Sequence, residues 1–594
     1  MKRILFLILV ANLTFANAMS KKADKESMDD WEYNATAVLK DSSRMPNIAA
    51  ASLGSSMPMT MSAPKMYRSK KIGLSVGGAK DTNNFKANID NGYLPKLDAI
   101  TYEGQYYNHY FETGLQGECK ALFCPSYSSA KRQNSFSNEE EYFLAVGLNS
   151  GIEEGDFKRK KLNLVVVLDI SGSMGTNFSA YHYDKMGNKV FTNDRSEKKK
   201  MTIANESIVA MLSHLRDDDR VGIALFDHNA YRAKPLNFVG SSDKSAIKDH
   251  ILELSERGGT NWSAGYKEGL ALFDTVDLNK DYENRIIFLT DAMPNTGELS
   301  KNKLFGMAKD ASAKGIHTTF VGVGVDFNND LVEYVSKTKG ANYFSVHSSA
   351  EFSKLLDKEF DYMVTPLVYD LELTLSSDAY SIEGVYGSPD AKLATGEIMK
   401  INTLFPSHND GTATKGGVVL LKLKKTGSNT KDDIHLTVNY SDVNGKKFNN
   451  EQKVNFKSSK SYYDNTGIRK AILVADYVSV MKNWLIDARA GCNDKVKWVM
   501  EEPIAIMKRC MMYPPKHPLY PVMSTWERKS CKLKVSEGYQ KLFQVFKKSY
   551  ESEMAALGDD SLNTELNILN TLLNQKASKF DKNMTPIDDW QFKN

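Results

Sequence analysis

The stretch Lys161-Leu-Asn-Leu-Val-Val-Val-Leu-Asp-Ile-Ser-Gly-Ser-Met-Gly175 closes an apolar run with one acid and two hydroxyls. Two later stretches supply what it lacks. Arg257-Gly-Gly-Thr-Asn-Trp262 is a paired-glycine loop able to bring Thr260 close, and Asn284-Arg-Ile-Ile-Phe-Leu-Thr-Asp291 is a second apolar run that ends in a carboxylate. Asp169, Ser171, Ser173, Thr260 and Asp291 are all hard oxygen donors, three neutral and two anionic. That set suits Mg²⁺ or Mn²⁺, with Ca²⁺ as a further oxygen-seeking ion, rather than zinc. Two carboxylates balance a divalent charge without filling its coordination, so a position stays open for water or an incoming Asp or Glu of a partner. The same residues have plainer readings. An acid and serines after a strand commonly cap the next helix. The serines also invite comparison with a nucleophile, but Ser171-Gly-Ser-Met-Gly175 is not the Gly-x-Ser-x-Gly elbow of hydrolases, and no partner histidine stands at a recognisable spacing.

These donors need elements to hold them. Residues 164–168 are too few for an amphipathic helix and lack polar alternation, so they read as a strand buried on both faces of a parallel sheet, with Asp169 at its carboxyl end. Ligands of open α/β sheets bind in the crevice outside those ends, and a Ser-Gly-Ser turn can double two side chains back toward one point. Further strands are expected at 221–226, 317–324 and 342–346, and helices at 201–215, 264–273, 329–337 and 349–362. This alternation predicts a doubly wound, mostly parallel α/β sheet. Gly322-Val-Gly324 lacks the third glycine of a dinucleotide loop and reads as crowding at a strand end.

The three segments together resemble the von Willebrand factor A domains, whose metal-ion-dependent adhesion site has the pattern Asp-x-Ser-x-Ser, then a Thr, then an Asp. All five positions match, over roughly residues 161–362, about the length of one α/β domain. The resemblance, which extends to bacterial secreted proteins of this family, implies that Ser171, Ser173 and Thr260 bind the metal more directly, while Asp169 and Asp291 act, as they often do in the family, through water. One departure stands out: family members start a helix soon after Ser-Gly-Ser-Met, whereas residues 175–200 intervene here. Tyr181, His182, Tyr183 and Asp184 in that insertion either shape partner choice or form a tolerated surface loop.

The rest of the chain sets the context. Its 594 residues allow about three or four domains, and 41% hydrophobic with 25% charged residues is a globular composition. A net charge of +4 without a concentrated basic patch argues against a nucleic-acid partner. Residues 1–18 read as a secretory signal: Lys2 and Arg3, an apolar run too short to span a bilayer, then Ala16-Asn-Ala18. No cysteine follows to suggest a lipoprotein, and no later run is long enough to cross a membrane. Residues 19–95 are expected to be a flexible leader, whose Met57-Pro-Met-Thr-Met61 is a weak copper motif. The aromatic segment within 96–160 (Thr101 to Glu112) reads as core more readily than as a stacking surface, and 141–148 as a strand. The α/β domain should occupy 161–363. Beyond it, 364–460 alternates as an antiparallel β-sandwich-like domain, with a hairpin across Val443-Asn-Gly-Lys446, and 461–594 is helical at 467–489, 534–557 and 561–574. Strand-like segments on both sides suggest that the α/β domain is inserted in, or flanked by, a β-sandwich built from the two flanks. Of the five cysteines, Cys119 can pair with Cys124 and two of Cys492, Cys510 and Cys531 with each other. No Cys-x-x-Cys spacing supports zinc.

The reading favours an exported, non-enzymatic adhesion or assembly protein that captures an acidic group of a protein partner, in the periplasm, at the cell surface or outside the cell. The oligomeric state is open. Two other readings stand beside it. One is a structural scaffold whose metal site is vestigial. The other is a metal-assisted hydrolase, for which Asp227, His228 and His182 are the nearby candidate bases. Asn34, Asn205 and Asn439 begin sequons that matter only on a eukaryotic secretory route.

Overall fold

Apolar runs without polar alternation become the central strands of a seven-stranded sheet. A computed structural model describes residues 28–34, 71–80, 82–90, 92–115, 117–134, 139–176, 181–183, 189–191, 198–291, 297–298, 300–323, 337–346, 348–389, 398–426, 433–490 and 531–577. The sheet's strands are β1 (Gly78–Ala79), β2 (Lys161–Asp169), β3 (Arg220–Phe226), β4 (Ala230–Phe238), β5 (Tyr282–Thr290), β6 (Ile316–Val323) and β7 (Asn342–Val346), in the order β4-β3-β2-β5-β6-β7-β1. All neighbours are parallel except β4, which runs antiparallel to β3 along the edge.

Both faces are covered, which is why the central strands carry no polar alternation. On one face Leu164, Val166, Leu168, Ile223 and Leu289 pack under α1 (Lys200–Leu212), α2 (Lys244–Leu252) and the helical segment 349–364. On the other, Val165, Val167, Ile286 and Phe288 pack under α3 (Trp262–Ala271) and α4 (Lys301–Ala313). This is the doubly wound α/β fold expected from the alternation. The edge strand β4 and helices α2 and α4 are additions to that expectation. The expected helix at 329–337 lies almost entirely outside the described residues.

The flanks build a ten-stranded, largely antiparallel sheet, the β body. Its long strand Glu140–Glu153, from the amino-terminal flank, pairs with Val418–Lys425 from the carboxyl-terminal flank, Val418 opposite Gly147. Leu144, Val146 and Leu421 share one core with Leu373 and Leu436 of distant strands, so the sheet folds over on itself as a sandwich would. The hairpin Asp433–Asp442/Lys447–Asn455 forms across the Asn-Gly turn, where Gly445 has φ +81°. On the sheet's outer face, α5 (Thr466–Ala490), α6 (Glu537–Leu557) and α7 (Asn563–Leu573) bury Trp484, Phe543 and Leu569 against Phe143, Ala145 and Leu420. The aromatic segment belongs to the core: Tyr106 and Phe111 are 1% exposed. Cys119 and Cys124 form a disulfide. Cys531 is also disulfide-bonded, its partner lying outside the described residues.

The leader is a correction. The composition predicts flexibility to residue 95, yet Lys71–Val76 is a strand paired with both Ile398–Ser407 and Glu140–Glu153, and Asn83–Asp90 is a helix. Gly73 masks this in the sequence. A Cβ there would sit 2.0 Å from the Thr414 side chain, so the glycine serves close packing rather than flexibility. One residue later than the end of that strand, after Gly77, β1 joins the other sheet, Gly78 opposite Asn342. Residues 28–34 also lie on the α/β unit: Glu32 N donates to Ala233 O, and Asp30 accepts from the buried ammonium of Lys234 at 2.9 Å. Residues 1–18 and Met57 to Met61 fall outside the described residues. Among the described residues no helix is long and apolar enough to cross a membrane.

Candidate functional site

Asp169 ends β2 and Asp291 follows β5, neighbouring parallel strands in register, so both carboxylates emerge at the same edge of the sheet. Asp169 is 0% exposed. Its Oδ1 accepts from Ser171 N at 2.7 Å and its Oδ2 from Thr290 Oγ1 at 2.6 Å. The backbone then turns through a 3₁₀ segment, Gly172–Gly175, which places Ser171 Oγ 3.0 Å from Ser173 Oγ. Ser173 Oγ in turn donates to Asp291 Oδ1 at 2.7 Å. Four of the five expected donors are thereby brought into one hydrogen-bonded cluster.

The fifth, Thr260, is buried in the loop before α3. That loop is tied to the serine turn by Gly172 N donating to Gly258 O, and to the end of β2 by Arg257 N donating to Ile170 O. Gly258 has φ +71°, and a Cβ there would meet His228 Nδ1 at 2.6 Å, so the loop takes this path only with glycine. The residues considered as bases serve the same loop. Asp227 accepts from Arg257 Nε at 2.9 Å, and His228 Nδ1 accepts from Gly259 N at 2.7 Å. The His182 side chain lies outside the described residues.

Burial and the neighbouring carboxylate of Asp291 together push the Asp169 carboxyl well above the usual carboxylate range, outweighing the bonds from Thr290 and Ser171 that favour its charged form. A site holding two buried carboxylates draws a cation. One protein cation is already there: Lys200 Nζ donates to Asp291 Oδ2 at 3.0 Å, with the Lys200 side chain 2% exposed. Sequence reasoning missed it, because Lys198-Lys-Lys200 looks like a solvated charge run. Lys198 and Lys199 are indeed exposed, pairing with Glu206 and Glu256. Lys200 is buried because the insertion closes at its neck, Lys200 N donating to Thr176 O at 2.9 Å, so that α1 begins directly beside the serine turn. Within the insertion, Tyr181–Tyr183 pairs antiparallel with Lys189–Phe191.

The donor chemistry fits a hard divalent ion: two carboxylates and two serine hydroxyls share one cluster, and the loop carrying Thr260 is tied to it. Among the described residues no three of His, Cys, Asp and Glu gather to hold a metal, so hydroxyl oxygens are needed to complete any such set.

Residues 163–358 match the family model of the von Willebrand factor type A domain. The chain is similar to inter-alpha-trypsin inhibitor heavy chain H2 of Mus musculus, 24% identical over 217 residues, which is 35% of this chain and 20% of that protein. The human heavy chain H2 is 22% identical over a segment of the same length, so the chain spans about a fifth of these curated relatives. An uncharacterized protein of Synechocystis sp. is 23% identical over 208 residues, 35% of this chain and 43% of that protein. Among solved structures, a von Willebrand factor type A protein from Catenulispora acidiphila aligns with a TM-score of 0.41 at 12% identity, covering 64% of this chain and 84% of that one. Residues 163–358, with the sheet and five-residue pattern described above, are a von Willebrand factor type A domain.

Proposed function

We propose that this is an exported binding protein that captures an acidic group of a protein partner through a divalent cation, Mg²⁺ or Mn²⁺ with Ca²⁺ as a further possibility, held by Asp169, Ser171, Ser173, Thr260 and Asp291. The carrying observation is the cluster at the strand ends, where Ser171 Oγ lies 3.0 Å from Ser173 Oγ and Ser173 Oγ 2.7 Å from Asp291 Oδ1. Bound there, the ion supplies an electrophilic coordination position for a carboxylate. The chain's own residues hold the charges and exclude water: Thr290 and the Ser171 amide orient Asp169, and the glycine loop presents Thr260. Binding rather than hydrolysis is favoured because Asp227 is engaged by Arg257, and His228 by the Gly259 amide. Export, to the periplasm, the cell surface or the medium, is supported by the signal-like residues 1–18 and by the Cys119–Cys124 disulfide.

The test is selection of random peptides on the immobilised full chain in Mg²⁺. Enrichment of Asp- and Glu-bearing peptides, lost in chelator and in Thr260→Ala, is the expected outcome. Peptides retained equally in chelator, or without carboxylate bias, would count against it. One observation favours a second reading, a scaffold with a vestigial site: Lys200 gives Asp291 a cation of the protein's own.

A further inference from the structure

Lys200 carries an inference that rests on the metal-binding reading and extends it. Asp291 has two carboxylate oxygens, one taken by Ser173 and the other by the Lys200 ammonium. Both side chains of the ion pair are 2% exposed or less. A divalent ion using Asp291 must therefore share that carboxylate with a fixed positive charge, or displace it. The charge is held close, because the Lys200 backbone is anchored to Thr176 O at the first residue of α1 and its side chain is 2% exposed. The charge balance then follows. With Asp169 ionised, as cation binding requires, Asp169, Asp291 and Lys200 sum to one negative charge, and a divalent cation turns this into one positive charge in a buried site. A buried unit charge without a partner is costly, and a single carboxylate from outside neutralises it.

We propose that Lys200 is an internal counter-ion that weakens the site for a bare divalent cation and makes tight metal binding depend on an anionic ligand arriving with it. Cation and carboxylate become cooperative through a residue outside the five-residue pattern. Lys200 would thus tune selectivity by disfavouring the metal-loaded, unliganded state.

The experiment is calorimetric titration of Mn²⁺ into the full chain and into Lys200→Met, each with and without acetate at constant pH and ionic strength. Methionine keeps the unbranched shape and removes the charge. Lys200→Gln serves as a second neutral variant, and circular dichroism checks that each is folded. For the wild type, acetate should tighten Mn²⁺ binding severalfold. Without acetate the neutral variants should bind Mn²⁺ roughly tenfold or more tightly than wild type, since a unit charge a few ångströms away has been removed, and acetate should matter much less to them. The wild-type arm stands even where a variant does not fold. Acetate leaving wild-type affinity unchanged, or wild type and variants binding equally, would overturn the role of Lys200 while leaving the metal site in place. Absence of saturable Mn²⁺ binding in every protein would overturn the metal reading and this inference with it.

Discussion

At the amino-terminal end of β5, Glu283 lies 2.8 Å from both Arg285 Nη2 and His317 Nδ1. At the carboxyl end of the same strand, Asp291 shares a pocket with a second carboxylate, Asp169. Burial pushes both ends the same way, yet the outcomes are opposite. Glu283 is held below the usual carboxylate range because His317 and Arg285 outweigh the cost of burial. Asp169 is driven up, because burial and Asp291 act in concert. The first end is sealed against the β body: Arg285 bonds Thr319 of β6 and lies over Phe405, and Tyr369 covers His317. Buried charge that only holds the fold together is met by opposite charge. Carboxylates left short of positive charge at a strand end are what a cation site requires.

The contrast is most easily broken at the sealed end. Arg285→Met strips Glu283 of its guanidinium and leaves a buried acid with His317 alone. It should cost about 3–5 kcal/mol in chemical denaturation while leaving any metal response intact. Lys80 offers the next test, in the junction between the two sheets. It is buried, donates to Ser75 Oγ, and faces Lys415, Glu359 and Arg285, and burial first, then Lys415, brings its ammonium down to about 7. In the unfolded chain it titrates near about 10, so between those values the unfolded state binds more protons and stability should rise with pH. Lys80→Met should flatten that rise, read from denaturation midpoints across the window.

Asp30→Ala probes a third solution to buried charge, one supplied by a distant segment. Lys234, 0% exposed on the edge strand β4, would lose its carboxylate and keep only the carbonyls of Val221 and Pro235. A loss of about 2–3 kcal/mol is expected. The smallest effect belongs to the strand-end pair. Asp169→Asn relieves the repulsion with Asp291, so unfolding in chelator should shift by less than about 1 kcal/mol. Stabilisation by Mg²⁺ or Mn²⁺, which follows mass action, should vanish.

What was legible in the sequence divides along the same physical line. The strands β2 and β5 announce themselves because burial on both faces demands continuous apolar residues, and the acids that end them stand out against that background. The glycine loop before α3 is legible for its paired glycines. Local pattern fails where a partner far along the chain decides the outcome. β4, with Lys234 and Pro235 in it, looks nothing like a strand, yet an edge tolerates both, and Asp30 compensates the inward lysine. Lys71–Val76 is disguised by Gly73, whose reason is Thr414. Residues 28–34 make sense only with β4, Arg257 and His250 in place: Trp31 stacks on His250 at 5.2 Å, and the Arg257 guanidinium lies over Tyr33. Lys200 hides in a lysine run until the insertion's neck closes.

The most direct measurement is calorimetric titration of Mg²⁺ and Mn²⁺ into the full chain, with Asp169→Ala and Asp291→Ala beside it. The account requires saturable binding by wild type that is lost or strongly weakened in both folded variants. No binding, or binding indifferent to both substitutions, would contradict the five-residue site.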